Sequence, residues 1–379
     1  MKLVMTLLAR DEADVVEANL RYHLESGVDF VIATDNGSAD GTRELLAEYE
    51  RADVLHLIDQ PTHDADYGPW RTRMARMAAT DFGADWVINN DADEFWWPDR
   101  GSLKEVLEEI PREYGIIRAP KQNFFPRSGD AGFFADRMVA RRTHSPKHRR
   151  TGVPTPLPKT AHRARADISV GSGNHAVEHP ELGLLGGWYP IQILHFPVRS
   201  YLQFERRTRQ TTLAKREGGL KEKNYGADYA ELERGELRRR YEELAPADAE
   251  VEAGVRAGSM VIDMRLKRFF EEHGRPARRD LWDLAPGDEP EAPLESARPL
   301  EDVEREARML GSIAQYGGQL FREERKLRRR IESAERARDE ERDRRQEAER
   351  RLKAAGGADG RTRGAAVAVA ALARRLRSR

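Results

Sequence analysis

The chain has 379 residues, of which 39% are hydrophobic and 35% are charged, and its formal net charge is −1. A balance this close to neutral excludes the general polycation that binds nucleic acid through its phosphates. The chain contains no cysteine, which excludes disulfides, thiolate catalysis and cysteine-based zinc sites. No apolar run approaches the roughly 18 residues of a membrane-spanning helix. Charges from Arg10 onward end the first apolar run too early for a signal peptide, and we therefore expect a cytoplasmic protein.

The first part of the chain alternates between apolar runs and amphipathic segments. The predicted strands are at 2–8, 30–34, 54–58 and 86–89, and the predicted helices are at about 11–27, 42–49 and 70–82. This alternation is typical of an α/β fold with a doubly wound, mostly parallel sheet. Ligands of such sheets bind beyond the carboxyl ends of the strands. Polar residues follow three of those ends, at 10–12, 35–36 and 91–93.

Later segments are less regular. The pattern predicts further strands within 116–126 and 191–196, helices at 201–216 and 231–244, and loops in the rest of 217–299. The segment 141–165 is basic and punctuated by proline. A lid over a diphosphate and a contact for an anionic acceptor are two functions that suit it. A solvated surface loop is the alternative.

Charged residues dominate from about residue 300. Ile313, Leu320 and Leu327 recur at intervals of seven, which predicts a coiled coil or a solvated single helix, and with a coiled coil self-association. The tail is basic, and we expect disorder there or weak contact with anionic lipid at the inner face of the membrane. The predicted domains are 1–216, an extension at 217–299, the charged helix at 300–355 and the tail at 356–379.

The segment 86–95 has the most informative pattern in the chain. An apolar run leads directly into Asp91, Asp93 and Glu94. Alternate residues of a strand share a face, so Asp91 and Asp93 would point the same way. Such carboxylates repel each other unless a cation neutralises them, and their oxygens suit Mg²⁺ or Mn²⁺, which also bind phosphates. The pattern predicts a divalent-metal site for a nucleotide-linked substrate, with ordinary turn carboxylates as the alternative. A phosphohydrolase loop does not fit, because Thr or Val follows the D-x-D of such loops, whereas Glu94 and Phe95 follow it here.

Four segments in a fixed order, 9–13, 22–29, 35–42 and 86–95, together resemble family 2-like glycosyltransferases of the GT-A fold, in the branch with a D-x-D-E-F loop. The resemblance implies a GT-A-like α/β domain, followed here by a helical C-terminal extension with a charged coiled coil. It implies a metal-dependent, inverting, hexosyltransferase-like enzyme of bacterial polysaccharide biosynthesis. Such an enzyme moves a sugar from a nucleotide-sugar donor to a glycan or lipid-linked acceptor. A catalytically inactive scaffold that acts through its coiled coil is the alternative.

The resemblance also implies roles for individual residues. The metal ligands, for Mn²⁺ or Mg²⁺, would be Asp91, Asp93 and His195, with His175 as the rival of His195 and a core histidine as the alternative reading. The nucleotide sugar would be bound by Arg10, Glu12, Asp35, Arg73 and Asp91, although a solvated helix face is the alternative for Arg73. An inverting transfer needs a group that takes the proton of the acceptor hydroxyl. The candidates for this base are Asp136, Asp167 and His175.

Overall fold

The computed structural model describes residues 1–61, 67–127, 132–143, 158–186, 188–217, 227–276 and 299–305, together with Arg342, Arg344 and Glu347. The chain divides into two compact units, Met1–Tyr316 and Gly317–Arg379, and all the elements below belong to the first. The described part of the predicted charged helix is a helical stretch at 300–305 and three isolated residues. The rest of that segment and the predicted tail lie outside the described residues. No helix in the described ranges combines the length and the apolar character needed to cross a bilayer.

Strands and helices alternate at first, and shorter elements follow. The strands are β1 (Leu3–Ala9), β2 (Phe30–Asp35), β3 (Leu55–Asp59), β4 (Trp86–Asp91), β5 (Glu94–Pro98), β6 (Tyr114–Ala119), β7 (Lys121–Asn123), β8 (Ala140–Arg142), β9 (Lys159–Arg163), β10 (Ser169–Val170), β11 (Val177–Glu178), β12 (Gly183–Leu184), β13 (Ile191–His195) and β14 (Met260–Ile262). The α-helices are α1 (Val16–Glu25), α2 (Thr42–Arg51), α3 (Gly68–Thr80), α4 (Leu103–Glu108), α5 (Phe134–Arg137), α6 (Tyr201–Glu217), α7 (Ala227–Glu233), α8 (Leu237–Leu244), α9 (Asp248–Arg256) and α10 (Arg265–His273).

The central sheet has seven strands among the described residues, in the order β12-β6-β9-β4-β1-β2-β3. Neighbouring strands are parallel except at β9, which runs antiparallel to both β4 and β6. After β1 the next two strands, β2 and β3, are added on one side of β1, and β4 is then added on its other side. This reversal of strand order opens a crevice at the carboxyl ends of β1 and β4. The predicted α/β fold with a mostly parallel sheet is confirmed.

Helices cover both faces of the sheet, and alternate side chains of β1 pack into a core on each face. Leu3, Met5 and Leu7 face a core that also contains residues of α1 and α2, whereas Val4 faces a smaller core with Met74 of α3. Burying one large aliphatic side chain in such a core stabilises the fold by about 1.5–3 kcal/mol. Because both faces of the sheet are packed, its strand ends are the natural place for a ligand.

A second sheet of three strands continues from the turn after β4. In it, β13 pairs antiparallel with β5 and parallel with β7. The register places His195 opposite Glu94 on one side and opposite Asn123 on the other. Three residues from distant parts of the sequence therefore form one row across this sheet.

Some predictions from the later segments are wrong. The end of the basic segment 141–165 forms β9, a strand inside the central sheet, rather than a surface loop. The middle of the segment, 144–157, lies outside the described residues, so the lid and the contact for an anionic acceptor stay predictions. Lys159 and Arg141 are each only 1% exposed, and the partner of Arg141 is Asp263, at 2.7 Å. The helix predicted at 231–244 is two helices, since Gly235 takes a left-handed φ of 74° between them. The loops predicted in the rest of 217–299 include α9, β14 and α10.

A buried polar cluster on α1 holds the turn between β4 and β5. The Asn19 side-chain amide donates to the backbone oxygens of Ala92, at 2.9 Å, and Glu94, at 2.8 Å. The Asn19 oxygen accepts from the Asn90 amide at 3.1 Å, and the Asn90 oxygen accepts from the Trp96 indole N–H at 3.0 Å. Because these buried groups satisfy one another, they specify a single geometry for the turn.

Replacing Asn19 by leucine keeps the side-chain volume but leaves two buried carbonyl oxygens without their donors. We expect Asn19→Leu to lower the free energy of unfolding by about 2–4 kcal/mol, measured by denaturant titration. Glu25→Ala, at an exposed position of the same helix, should change it by less than about 0.5 kcal/mol. Equal changes in the two variants would contradict the role given to Asn19.

His23 packs against the same turn as a neutral imidazole. Its Nδ1 donates to the Asn19 backbone oxygen at 2.8 Å, and its Nε2 accepts from the Trp96 backbone N–H at 3.2 Å. A proton on Nε2 would displace that N–H. Burial accordingly lowers the pKa of His23 to about 4, and it does the same for His162.

These two histidines predict a loss of stability in mild acid. The unfolded chain takes up protons on them near pH 6.5, whereas the folded protein does so only near pH 4. The free energy of unfolding should therefore fall as the pH drops from 6.5 to 4, by up to about 3 kcal/mol for each histidine. Urea titrations at a series of pH values should show a shallower decline for His23→Gln than for the wild type. An unchanged pH profile would count against this account.

Candidate active site

The crevice at the switch point is bordered by the loops that follow β1, β2 and β4. In the register of the sheet, Ala9 lies beside Asp35 at the ends of β1 and β2, and Leu8 lies beside Asp91 at the end of β4. The predicted polar residues at 10–12, 35–36 and 91–93 therefore meet at one edge of the sheet.

Asp91 is held by two cations. Its Oδ1 accepts from Arg71 and from the Asn174 amide, each at 3.2 Å, and its Oδ2 pairs with the Lys159 ammonium. Burial opposes ionisation of Asp91, but Lys159 and Arg71 lower its pKa to about 2. Both carboxylate oxygens are thus engaged by the protein itself. The role of Asp91 as a metal ligand stays a prediction.

Asp93, Glu94 and His195 form a second group, and their ligand atoms all lie within 4.8 Å of one another. The Nε2 atom of His195 is 3.4 Å from the Asp93 Oδ2 and 3.9 Å from the Glu94 Oε1. All three residues are buried. Burial opposes ionisation of Asp93, but the neighbouring His195, Arg207 and Arg199 hold its pKa well below the ordinary value. The structure therefore brings together the predicted Asp93 and His195 and adds Glu94.

Glu94 has one paired and one unpaired oxygen. Its Oε1 lies 3.2 Å from the Lys121 ammonium and 3.4 Å from the Lys159 ammonium. Its Oε2 is buried and has no hydrogen-bond partner in the described part of the chain. Burial raises the pKa of Glu94, although both lysines oppose the rise. An unsatisfied buried oxygen is costly, and two carboxylates with an imidazole are donors that suit a divalent cation such as Mn²⁺. The residues present therefore fit the implied metal.

A buried arginine anchors the loop after β1. Arg199 donates two hydrogen bonds to Asp14, at 2.7 and 2.9 Å, and pairs with Glu12. Burial raises the pKa of Glu12 to about 7, although Arg199 opposes the rise. Glu12, which the resemblance places at the nucleotide, thus lies at the crevice as a partner of Arg199.

The loop after β2 contributes buried acceptors. Asp35 is fully buried, and its Oδ2 accepts from the Ser38 backbone N–H at 3.2 Å. Neither the Asp35 Oδ1 nor the Asn36 Oδ1 has a hydrogen-bond partner among the described residues. Buried acceptors at a strand end suit a ligand that brings N–H or O–H donors. Arg10, after β1, is half-buried at the same edge of the sheet.

Helix α6 carries polar side chains to the three loops. The pairs are Arg206 with Asp40 at 3.2 Å, Arg207 with Asp93 at 3.6 Å, and Gln210 with Asp11. One helix therefore contacts the loops after β2, β4 and β1. The sequence predicts this helix but gives it no function, because its spacing shows only that it is helical.

Three other predicted residues do not join the Asp93 group. Arg73 is exposed on α3, where Arg71 contacts Asp91 instead. Asp136 pairs with Arg275 at 3.1 Å. Asp167 is 75% exposed and pairs with His179. It follows the end of β9 that lies beside the start of β4, at the opposite edge of the sheet from Asp91. Their predicted roles remain predictions.

His175 lies closer to the acidic turn. Its Nδ1 is 3.0 Å from the Pro158 backbone oxygen. Burial lowers the pKa of His175, and the charges of Lys159 and Lys121 add to this effect while Asp91 opposes it. His175 is therefore near the cations that hold Asp91.

Sequence reasoning missed the cations of the site, which include Lys121, Lys159 and Arg199. Charge balance is the signal that points to them, because three crowded carboxylates require positive partners. The sequence does not say which of its 65 lysines and arginines supply that charge.

Removing the cation shared by Asp91 and Glu94 should destabilise the fold. We expect Lys159→Met to lower the free energy of unfolding by about 3 kcal/mol, because it leaves buried carboxylates short of a partner. Lys104→Met removes a half-exposed lysine that pairs with Asp29 at 2.5 Å, and it should cost less than about 1 kcal/mol. Chemical denaturation of both variants measures the free energies of unfolding. A Lys159→Met variant as stable as Lys104→Met would contradict the role given to Lys159.

Comparisons with known proteins give one family match and several similar solved structures. Residues 12–151 match the family model described as Glycosyl transferase family 2. No curated protein sequence matches the chain. One similar solved structure is S. aureus TarS 1–349 in complex with UDP, with 14% identity, 68% of this chain and 79% of that chain covered, and a TM-score of 0.35. Another is the mannosyltransferase PcManGT from Pyrobaculum calidifontis in complex with GDP-Man and Mn²⁺, with 14% identity, 74% and 83% covered, and a TM-score of 0.33.

Proposed function

We propose, from the match of residues 12–151 to the family model described as Glycosyl transferase family 2, that the chain transfers a sugar from a nucleotide-sugar donor to an acceptor hydroxyl, with Mn²⁺ or Mg²⁺ as cofactor. The buried group of Asp93, Glu94 and His195 beside the switch point is the observation that carries the proposal. A cation bound there would neutralise the departing nucleoside diphosphate. The acceptor we propose is a glycan or a lipid-linked molecule, and the compartment is the cytoplasm.

The nucleotide would lie against the loops after β1 and β2. The unpartnered oxygens of Asp35 and Asn36 suit the N–H and O–H groups of a base and a ribose. Glu12 and Arg10 border the same edge, and we retain them as nucleotide contacts. Asp91 would act near the donor sugar through the cations that it holds.

We propose His175 as the base that takes the acceptor proton in an inverting transfer. A carbonyl oxygen can only accept, so the contact with Pro158 places the proton on Nδ1 and leaves a lone pair on Nε2. The lowered pKa keeps the ring neutral, and hence basic, at neutral pH. Asp136 and Asp167 are the rivals, but each is already paired, with Arg275 and His179 respectively.

His175→Ala should reduce sugar transfer by about 10²–10⁴-fold, because it removes the proposed base. Binding of Mn²⁺ and of nucleoside diphosphate should stay at the wild-type level, since His175 lies outside the Asp93 group. His56→Ala, at a half-exposed position of β3 that pairs with none of the candidate bases, is the control and should leave transfer unchanged. Transfer rates and calorimetric titrations test this together, and full activity in His175→Ala would return the role to Asp136 or Asp167.

The metal assignment predicts linked binding of cation and nucleotide. A panel of nucleoside diphosphates should contain one that raises the melting temperature of the wild type, and the rise should require Mn²⁺. Asp93→Asn keeps the shape but removes the charge, so it should abolish the rise and the transfer of sugar.

Asp53→Asn is the matched control, because Asp53 is exposed and has a left-handed φ of 58° that asparagine accepts readily. It should behave as the wild type. If no nucleoside diphosphate stabilises the wild type with Mn²⁺, the inactive scaffold becomes the better account.

A further inference from the structure

Strand β7 places two polar side chains beside the metal group. Lys121 and Asn123 are alternate residues of this strand and therefore share a face. The Lys121 ammonium lies 3.2 Å from the Glu94 Oε1, and the Asn123 Oδ1 lies 2.7 Å from the His195 Nδ1. One short strand thus contacts two of the three members of the group.

The contact with Asn123 determines which nitrogen of His195 is available to a cation. An amide oxygen can only accept, so the His195 Nδ1 carries a proton. The other nitrogen, Nε2, faces Asp93 at 3.4 Å and Glu94 at 3.9 Å. The contact with Asn123, at 2.7 Å, is the shortest of these three contacts of the ring.

Strand register produces this arrangement. His195 lies beside Asn123 on the parallel strand β7 and opposite Glu94 on the antiparallel strand β5. A shift of one residue in β7 would turn Asn123 to the other face of the sheet. The contact is therefore fixed by the backbone pairing of three strands.

We infer that Asn123 is a positioning residue, which fixes the proton and the ring orientation of His195 so that Nε2 is free to bind a divalent cation. The inference rests on the proposed function, because it gives the metal group a supporting partner. Removing the partner that holds the second nitrogen of a ligating histidine typically weakens metal binding 10–100-fold. Asn123 is exposed, so its replacement leaves the core intact.

Two variants separate this role from a structural one. Asn123→Leu keeps the volume but removes the acceptor, and we expect it to bind Mn²⁺ at least about tenfold more weakly. Asn123→Asp keeps an acceptor at the same place and should stay within about threefold of the wild type. Free Mn²⁺ counted by electron paramagnetic resonance gives the dissociation constants. Wild-type affinity in the folded Asn123→Leu variant overturns the inference.

A second readout needs no metal. Long-range ¹H–¹⁵N NMR near pH 9, roughly two units above the usual titration of histidine, reports which nitrogen of a neutral imidazole carries the proton. We expect the proton on Nδ1 in the wild type and in Asn123→Asp, and its loss from that nitrogen in Asn123→Leu. A wild-type proton on Nε2 overturns the inference whether or not Mn²⁺ binds. A wild type that binds no Mn²⁺ overturns the proposed function instead, so the two failures are distinguishable.

Discussion

The repulsion among Asp91, Asp93 and Glu94 is the constraint that the surrounding structure resolves. These residues crowd the turn between β4 and β5, and the Glu94 side chain is only 1% exposed. A buried carboxylate is tolerated when it is paired. Strand β9 and helix α3 provide cations to Asp91, strands β7 and β9 provide them to Glu94, and helix α6 provides one to Asp93. Elements far apart in the chain are thus positioned by charge as well as by apolar burial.

The backbone of the turn is held by a different set of interactions. Asn19 and His23 of α1 bond to backbone groups of Ala92, Glu94 and Trp96, and none of these bonds uses a carboxylate. Neutral hydrogen bonds therefore fix the turn while ion pairs hold its side chains. The backbone bonds of the turn therefore do not depend on which cations pair with its acidic side chains.

The parts of the site that are local in the sequence could be predicted from it. The end of β4 and its acidic residues follow from the apolar run and the spacing of carboxylates, and the resemblance adds His195. Lys159 and Asn123 could not be found in this way, because they lie 68 and 72 positions from the residues that they contact. Their roles depend on strand register, which the composition of a single segment does not contain. For the same reason, the basic composition of 141–165 pointed to a solvent-exposed loop. The acids that pair with its buried Arg141 and Lys159 lie in other parts of the sequence.

Charge balance explains why a cation and a diphosphate would bind to this site together. Among the described residues, the carboxylates Glu12, Asp14, Asp91, Asp93 and Glu94 are paired with the cations Arg71, Lys121, Lys159, Arg199 and Arg207. A diphosphate adds negative charge where the protein's cations are already engaged. Two negative charges 4 Å apart repel each other by about 4 kcal/mol at an effective dielectric constant of about 20. A divalent cation held by Asp93, Glu94 and His195 would offset this cost. Under the proposed function, each ligand would therefore strengthen the binding of the other, as reciprocal coupling requires.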